Sequence, residues 1–195
     1  MIGVIDYGAG NLRSVTNVLD VLNAPYDVIE SGAQLRSVER IVLPGVGHFG
    51  QLARALDERE LRAPLAALLA AGVPYLGICL GMQVLFESSA EAPGERGLGV
   101  FAGEAGVIAG AERLPHMGWN TVECTSASRL LADDETYFYF AHTYACPVID
   151  ATTGVCCYGS SFSAVVERGS VFGVQFHPEK SGPAGRALVA RFVAA

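Results

Sequence analysis

The chain has 195 residues, 51% of them hydrophobic and 17% charged, and carries a net charge of −7 at pH 7. A chain of that length and apolar content can bury a core without disulfide support, which excludes a disordered chain, and its acidic balance argues against non-specific nucleic-acid binding. It contains no run of 18 apolar residues, so no membrane span is expected.

The first residues, MIGVIDYG, have neither the basic region nor the cleavage site of a signal peptide, so a cytoplasmic protein is expected. They read as a buried strand over Ile2–Ile5. The next residues, GAGN at 8–11, suggest a dinucleotide loop, but that fingerprint needs a third glycine at position 13, where the chain has Arg13. The segment reads as a tight strand-to-helix turn with Asn11 near the N-cap. Leu12, Val15, Val18, Leu19 and Leu22 then recur at helical spacing. Strands are predicted at Tyr26–Ile29 and 40–43. An Ala- and Leu-rich helix is predicted over 52–71, restarting at Pro64. A strand at 75–78 and a helix at 82–86 complete a β-α-β-α order, which implies a parallel sheet with helices on both faces. After Ser88 the pattern changes: 91–99 is a loop with no catalytic cue, and short β segments are predicted at 121–124, 136–141, 155–158, 164–167 and 171–175. Leu188, Val189, Phe192 and Val193 end the chain on an apolar helix face. The fold class is α/β: one domain over 1–195, a mostly parallel open sheet flanked by helices, with a smaller antiparallel β addition in the second half.

Five cysteines are present: Cys79, Cys124, Cys146, Cys156 and Cys157. An odd count with no export signal does not suggest a disulfide framework, and the absence of a CxxC pair argues against zinc. The four other than Cys79 read as core-filling residues. No metal or other cofactor is expected.

Cys79 differs from the rest. It stands in YLGICLGMQ, with Gly77 two residues before it and Gly81 two after, between a strand and a helix. This is the nucleophile-elbow pattern with Cys in place of Ser. The turn strains the central residue, crowds both flanks and exposes the sulfur at the carboxyl end of a strand, where α/β sheets bind ligands. The helix N-terminus beside it favours a thiolate. The alternative is a buried cysteine in a glycine-rich turn. A nucleophile needs a base and the base an orienting group. His177 in QFHPE, kept extended by Pro178, would project on the same side as Glu179, so that the carboxylate holds one ring nitrogen while the other faces the thiol. Residues 43–49, LPGVGHF, form a loop whose amides, with that of Leu80, suit an oxyanion hole. His48 reads as a loop residue.

GICLGMQ with the later HPE resembles the triad glutamine amidotransferases, which take ammonia from glutamine, and LPGVG resembles their oxyanion loop. More narrowly, VIDYGAGNLRSV at 4–15, LPGVGHF at 43–49, PHMGWN at 115–120 and YFAHTY at 139–144 resemble the glutaminase subunits of imidazole glycerol phosphate synthases. The resemblance runs from the first strand to the last. It implies that Cys79 forms a glutamyl thioester, that His177 moves the proton and that Glu179 orients His177. It also implies oxyanion donors at Val46 and Leu80, after rearrangement of the 44–47 loop. Glutamine would be held by Gly47, Gln83, His142, Thr143 and Tyr144. The implied partner is a cyclase subunit, a (β/α)8 barrel that receives the ammonia in a heterodimer. Met117, Trp119 and Lys180 would meet it, a core Trp being the alternative for Trp119. The subunit alone is expected to be nearly inactive. Rival expectations are the glutaminase of another synthase, such as that of pyridoxal phosphate, a stand-alone cysteine hydrolase, and a non-catalytic binding module.

Overall fold

The computed structural model describes residues 1–8, 11–132 and 136–195; of the GAGN turn, residues 9–10 lie outside them. The first half alternates strand and helix: β1 (Ile2–Ile5), α1 (Leu12–Val21), β2 (Tyr26–Ile29), β3 (Arg40–Gly45), α2 (Phe49–Glu58), α3 (Arg62–Ala70), β4 (Tyr75–Cys79) and α4 (Leu80–Gln83). A 3-10 turn over Gly32–Ser37 joins β2 to β3. The second half is mostly β: β5 (Ser88–Ser89), β6 (Glu104–Val107), β7 (His116–Thr121), β8 (Glu123–Cys124), β9 (Tyr137–His142), β10 (Tyr144–Ala145), β11 (Thr152–Tyr158), β12 (Ser160–Arg168) and β13 (Val171–Val174), before α5 (Gly182–Ala194). No helix among the described residues is long and apolar enough to cross a membrane.

The main sheet has eight strands in the order β2-β1-β3-β4-β13-β12-β11-β8. Pairing is parallel from β2 through β13 and antiparallel from β13 out to β8. Successive residues of a strand point to opposite faces, so a strand covered on both sides must be apolar throughout. In β3, Val42 faces the layer of α1 and α5, whereas Ile41 and Leu43 face α2 and α3. The β addition is two small sheets, β7-β9 and β10-β6-β5. The expected antiparallel addition is present, with one short parallel pair, β5 with β6, inside it.

Several boundaries depart from the sequence expectations. The 52–71 helix breaks at 59–61, where Glu60 takes a left-handed φ of 55°. Pro64 sits inside the first turn of α3, where its missing N–H is no loss. The 82–86 helix starts earlier and lasts only Leu80–Gln83. The 121–124 strand splits at buried Val122 between two sheets, and PHMGWN, not predicted as a strand, supplies most of β7. Its inward positions are His116, Gly118 and Asn120, and Met117 and Trp119 lie outside, as an interface reading of PHMGWN expects. Of the four other cysteines, Cys146 and Cys156 are buried as expected, but Cys124 and Cys157 are exposed. Cys124 lies on the outermost strand of the sheet, and Cys157 follows buried Cys156, so the pleat turns it outward.

Candidate active site

Cys79 ends β4 with φ 53° and ψ −106°, a conformation that side-chain-bearing residues rarely hold. Its flanking glycines permit the bend. A Cβ on Gly77 would lie 2.2 Å from the Gly81 carbonyl oxygen, and one on Gly81 would lie 1.9 Å from that of Leu43. The elbow thus packs against itself and against β3. Cys79 is 7% exposed, so the sulfur sits inside a cleft rather than on open surface.

Strand order assembles the rest. β4 lies between β3 and β13, with Gly45 paired to Cys79 on one side and Val174 to Ile78 on the other. The chain leaving β13 therefore delivers Gln175 and His177 beside the thiol. His177 faces Cys79 across the same cavity lining, close enough for the two groups to interact electrostatically, and its Nδ1 lies 2.8 Å from Glu179 Oε1. The expected pairing of His177 with Glu179 is present, but a different local structure makes it. Pro178 opens a 3-10 turn over Pro178–Lys180, and that turn, not an extended segment, brings the carboxylate back to the ring. Burial alone would lower the His177 pKa. The Cys79 charge and side chain, the hydrogen bond to Glu179 and the Glu179 charge outweigh burial and raise it to about 10. At neutral pH the ring carries the proton, the form that can pass it to a leaving amine.

Asn11 precedes α1 but does not cap it with its side chain. Its φ is 77°, and its Nδ2 instead donates to Glu179 Oε1 at 2.6 Å. His48 is the residue that caps a helix: its Nδ1 accepts from Gly50 N–H at the start of α2.

A cavity of about 250 Å3 opens over the thiol. Cys79, His177, Val46, Gly47 and Leu80 line one part of it, and Gln83, His142, Thr143 and Tyr144 another. Glu179 stands behind His177, outside the lining. Lys180 reaches the cavity rim, and its Nζ lies 5.7 Å from the Tyr139 ring centre. Tyr139 in turn meets Trp119 edge-on at 6.3 Å. Trp119 is 56% exposed and Met117 65%, which removes the core alternative for the Trp and leaves an apolar face at the cavity's edge.

Hydrogen bonds fix the orientation of the polar wall. Gln83 Nε2 donates to the Tyr144 carbonyl at 2.8 Å and to Gln175 Oε1 at 3.1 Å. With both protons engaged, Gln83 can offer a ligand its Oε1, an acceptor. Gln175 Nε2 points to Cys79 Sγ at 3.6 Å. The Tyr144 carbonyl also faces His142 Nδ1 at 2.9 Å. A carbonyl only accepts, so Nδ1 carries the proton and Nε2 accepts from His116 Nδ1 at 3.0 Å. His116 Nε2 then accepts from Asn120 Nδ2 at 3.2 Å. Both rings are neutral: burial lowers the His116 pKa to about 4, and burial, with the nearby His116 and His177 charges adding to it, lowers that of His142 to about 3. With both nitrogens engaged, His142 shapes the wall.

The oxyanion loop has one further partner. Tyr7, two residues beyond β1 and 4% exposed, donates its hydroxyl to the Val46 carbonyl at 2.7 Å and accepts from Val46 N–H at 2.9 Å. Burial keeps this phenol well above its ordinary pKa.

Besides the Asn11 bond to Glu179, three site features escaped the sequence. Tyr7 and Gln175 carry no local signal for their roles. Glu91 lies in the 91–99 segment, which gave no catalytic cue, yet it lines the cavity while its Oε2 accepts from Phe49 N–H. The only available hint was an acidic residue in a loop entering a predicted βα site.

Comparison with known proteins agrees with this geometry. A family model described as glutamine amidotransferase class-I matches residues 3–195. The chain is 47% identical to the imidazole glycerol phosphate synthase subunit HisH of Desulfitobacterium hafniense strain Y51, over 98% of this chain and 93% of that one. It is 41% identical to the same subunit of Rhodopirellula baltica, over 100% and 98% of the two chains, and 40% identical to that of Methanocaldococcus jannaschii, over 99% and 98%. Among solved structures it is similar to PurLQS of Thermotoga maritima, with a TM-score of 0.77 at 19% identity, covering 99% of this chain and 97% of that one. A crystal structure of a glutamine amidotransferase gives a TM-score of 0.76 at 18% identity, with the same coverage.

Proposed function

From the premise that this chain belongs to the class-I glutamine amidotransferase family, we propose that it is the glutaminase subunit of an imidazole glycerol phosphate synthase. The observation that carries the reading is the His177 ring held between Cys79 and Glu179 over the cavity. Buried Cys146 and Cys156, whose thiols burial pushes up, have no comparable partner set among the described residues. The relatives' shared name favours this synthase over that of pyridoxal phosphate.

Glutamine enters with its side-chain amide over Cys79. The sulfur attacks the amide carbon, its proton resting on His177. The C–N bond breaks as His177 gives that proton to the departing ammonia, leaving a glutamyl thioester. Water then attacks the thioester carbon, His177 takes a proton from it, and the C–S bond breaks to release glutamate and restore the thiol. Glu179 holds the ring through Nδ1, with Asn11 fixing the carboxylate. Gln83 Oε1 accepts from the substrate amide, Glu91 suits the α-ammonium, and the 142–144 segment suits the α-carboxylate. Leu80 N–H and Val46 N–H are the oxyanion donors, the latter only once it turns from Tyr7.

The partner is a cyclase subunit, a (β/α)8 barrel docking on the Met117–Trp119 face, with Lys180 at its edge. It uses the ammonia to make imidazole glycerol phosphate and an aminoimidazole carboxamide ribotide, and no metal or cofactor is needed on this side. The test is mass spectrometry after treatment with an electrophilic glutamine analogue. Modification mapped to Cys79 is expected, and Cys79→Ala should abolish glutamine-dependent but not ammonia-dependent synthesis by the complex. Labelling elsewhere, or glutamine-dependent synthesis surviving in Cys79→Ala, overturns the reading.

A further inference from the structure

We propose that Tyr7 is a positioning residue whose hydroxyl latches the oxyanion loop, holding the Val46 peptide turned away from the thiol until the reaction draws it over. The inference rests on the glutaminase reading above.

Topology makes the choice binary. β3 lies between β1 and β4, and the loop that follows it carries Val46 between Tyr7, beyond the end of β1, and Cys79, at the end of β4. An amide has one proton. Here it goes to the Tyr7 oxygen at 2.9 Å, on the β1 flank, so it is absent from the β4 flank where an oxyanion would form. The same hydroxyl donates back to the Val46 carbonyl at 2.7 Å. A phenol has one proton to give and lone pairs to receive with, so one group can grip both polar atoms of one residue. Either contact alone would be ordinary packing. Together they fix the two peptide units on either side of Val46, against a Tyr7 side chain that is itself buried.

The loop is built to leave this state. Val46 is flanked by Gly45 and Gly47. Gly47 already holds φ +99°, and a Cβ there would meet nothing closer than Gln51 Oε1 at 3.5 Å, so its glycine answers to backbone conformation rather than space. Gly45 packs on the elbow, where a Cβ would lie 2.4 Å from Gly81 N, so the turn is confined to the peptides around Val46.

The drive comes from charge. Both Tyr7 bonds are between neutral groups, whereas an amide donating to an oxyanion makes a charge-assisted bond, roughly twice as strong. The latch therefore wins while the site is empty or holds uncharged amide, and loses as negative charge develops on the substrate oxygen. Its cost falls on the transition state, which must give up one neutral bond, from Val46 N–H to Tyr7, before it gains the charge-assisted one.

Tyr7→Phe removes one oxygen and keeps the ring. Glutamine hydrolysis is measured for the isolated subunit and for the complex with the cyclase subunit, alongside hydrogen exchange of the Val46 amide. The isolated variant should show kcat raised about tenfold with KM nearly unchanged, roughly the worth of one neutral hydrogen bond. The complexed rate should not fall, and the Val46 amide should exchange faster. A fall in kcat both with and without the partner overturns the latch, since Tyr7 would then support the productive arrangement. Unchanged kcat and unchanged Val46 exchange overturn it as well. Should the variant fold poorly, wild-type protein labelled at Cys79 by the glutamine analogue gives a second readout: the Val46 amide signal must shift on labelling, and an unmoved signal sinks the latch. Failure of the wild-type complex to consume glutamine would instead sink the assigned activity and the latch with it, whereas normal wild-type turnover with an indifferent Tyr7→Phe sinks the latch alone.

Discussion

Glu179 works through one oxygen. Its Oε1 meets His177 Nδ1 at 2.8 Å and also accepts from Asn11 Nδ2 at 2.6 Å. A carboxylate with a single tether can rotate away from the ring; the second bond removes that freedom. Asn11→Ala should therefore lower kcat about tenfold for the complex while leaving KM for glutamine within about twofold, because the imidazole loses its fixed orientation but the substrate wall is untouched. Steady-state glutaminase assays check it, and a normal kcat would remove Asn11 from the machinery. The residue was visible in the sequence only as a helix-start polar group. Its partner lies 168 positions away, and nothing local in GAGN points there. Cys79 and His177 were legible for the opposite reason: each carries its evidence within a few residues, as glycines around a thiol and as a carboxylate just past a proline.

At the scale of elements, the elbow and the strands beside it form one packed unit. Gly81 backs onto the Leu43 carbonyl of β3, so the nucleophile's turn and the oxyanion strand cannot shift independently. Gly81→Ala should cost about 1–3 kcal/mol of stability by overpacking. It should also cut the rate of Cys79 labelling at least about a hundredfold by pushing the elbow from β3. Denaturant midpoints and analogue labelling measure both, and a variant matching wild type in each would show that the elbow has room to spare. The short α4 changes one expectation. A single turn has little macrodipole, so the groups that chiefly face the sulfur are His177 and Gln175 Nε2, the latter at 3.6 Å. One element that the periodicity missed, β7, has polar side chains at its inward positions. β7 buries histidine and shows Met117 and Trp119 outside, so its alternation reads backwards from sequence.

Across the whole molecule, the His116–His142 pair joins the β7-β9 layer to the cavity wall. His116 lies stacked between Tyr158 at 4.1 Å and Phe140 at 4.8 Å, and its burial there disfavours a charge. Both histidines have folded pKa values below their ordinary 6.5, at about 4 and about 3. The unfolded chain thus binds protons that the native state refuses, so stability is held above pH 6.5 and lost as pH falls toward 4. Each histidine can cost at most about 1.4 kcal/mol per pH unit in that window. Denaturant midpoints from pH 7 to 4 should fall more steeply for wild type than for His116→Phe, the carboxylates acting alike in both. Parallel curves would show that the pair is not what titrates.

The sequence by itself determined the strained thiol turn, the pairing of a histidine with a carboxylate two residues on, the parallel βα frame and the family. Each is written in neighbours along the chain, where sterics and periodicity act directly. Tertiary structure alone decided that Tyr7 grips Val46, that Asn11 holds Glu179, that Gln175 faces the sulfur and that Glu91 enters the cavity. Those contacts follow from strand order, which sets which loop ends stand side by side, and strand order depends on how a whole sheet buries its two faces rather than on any short stretch of residues.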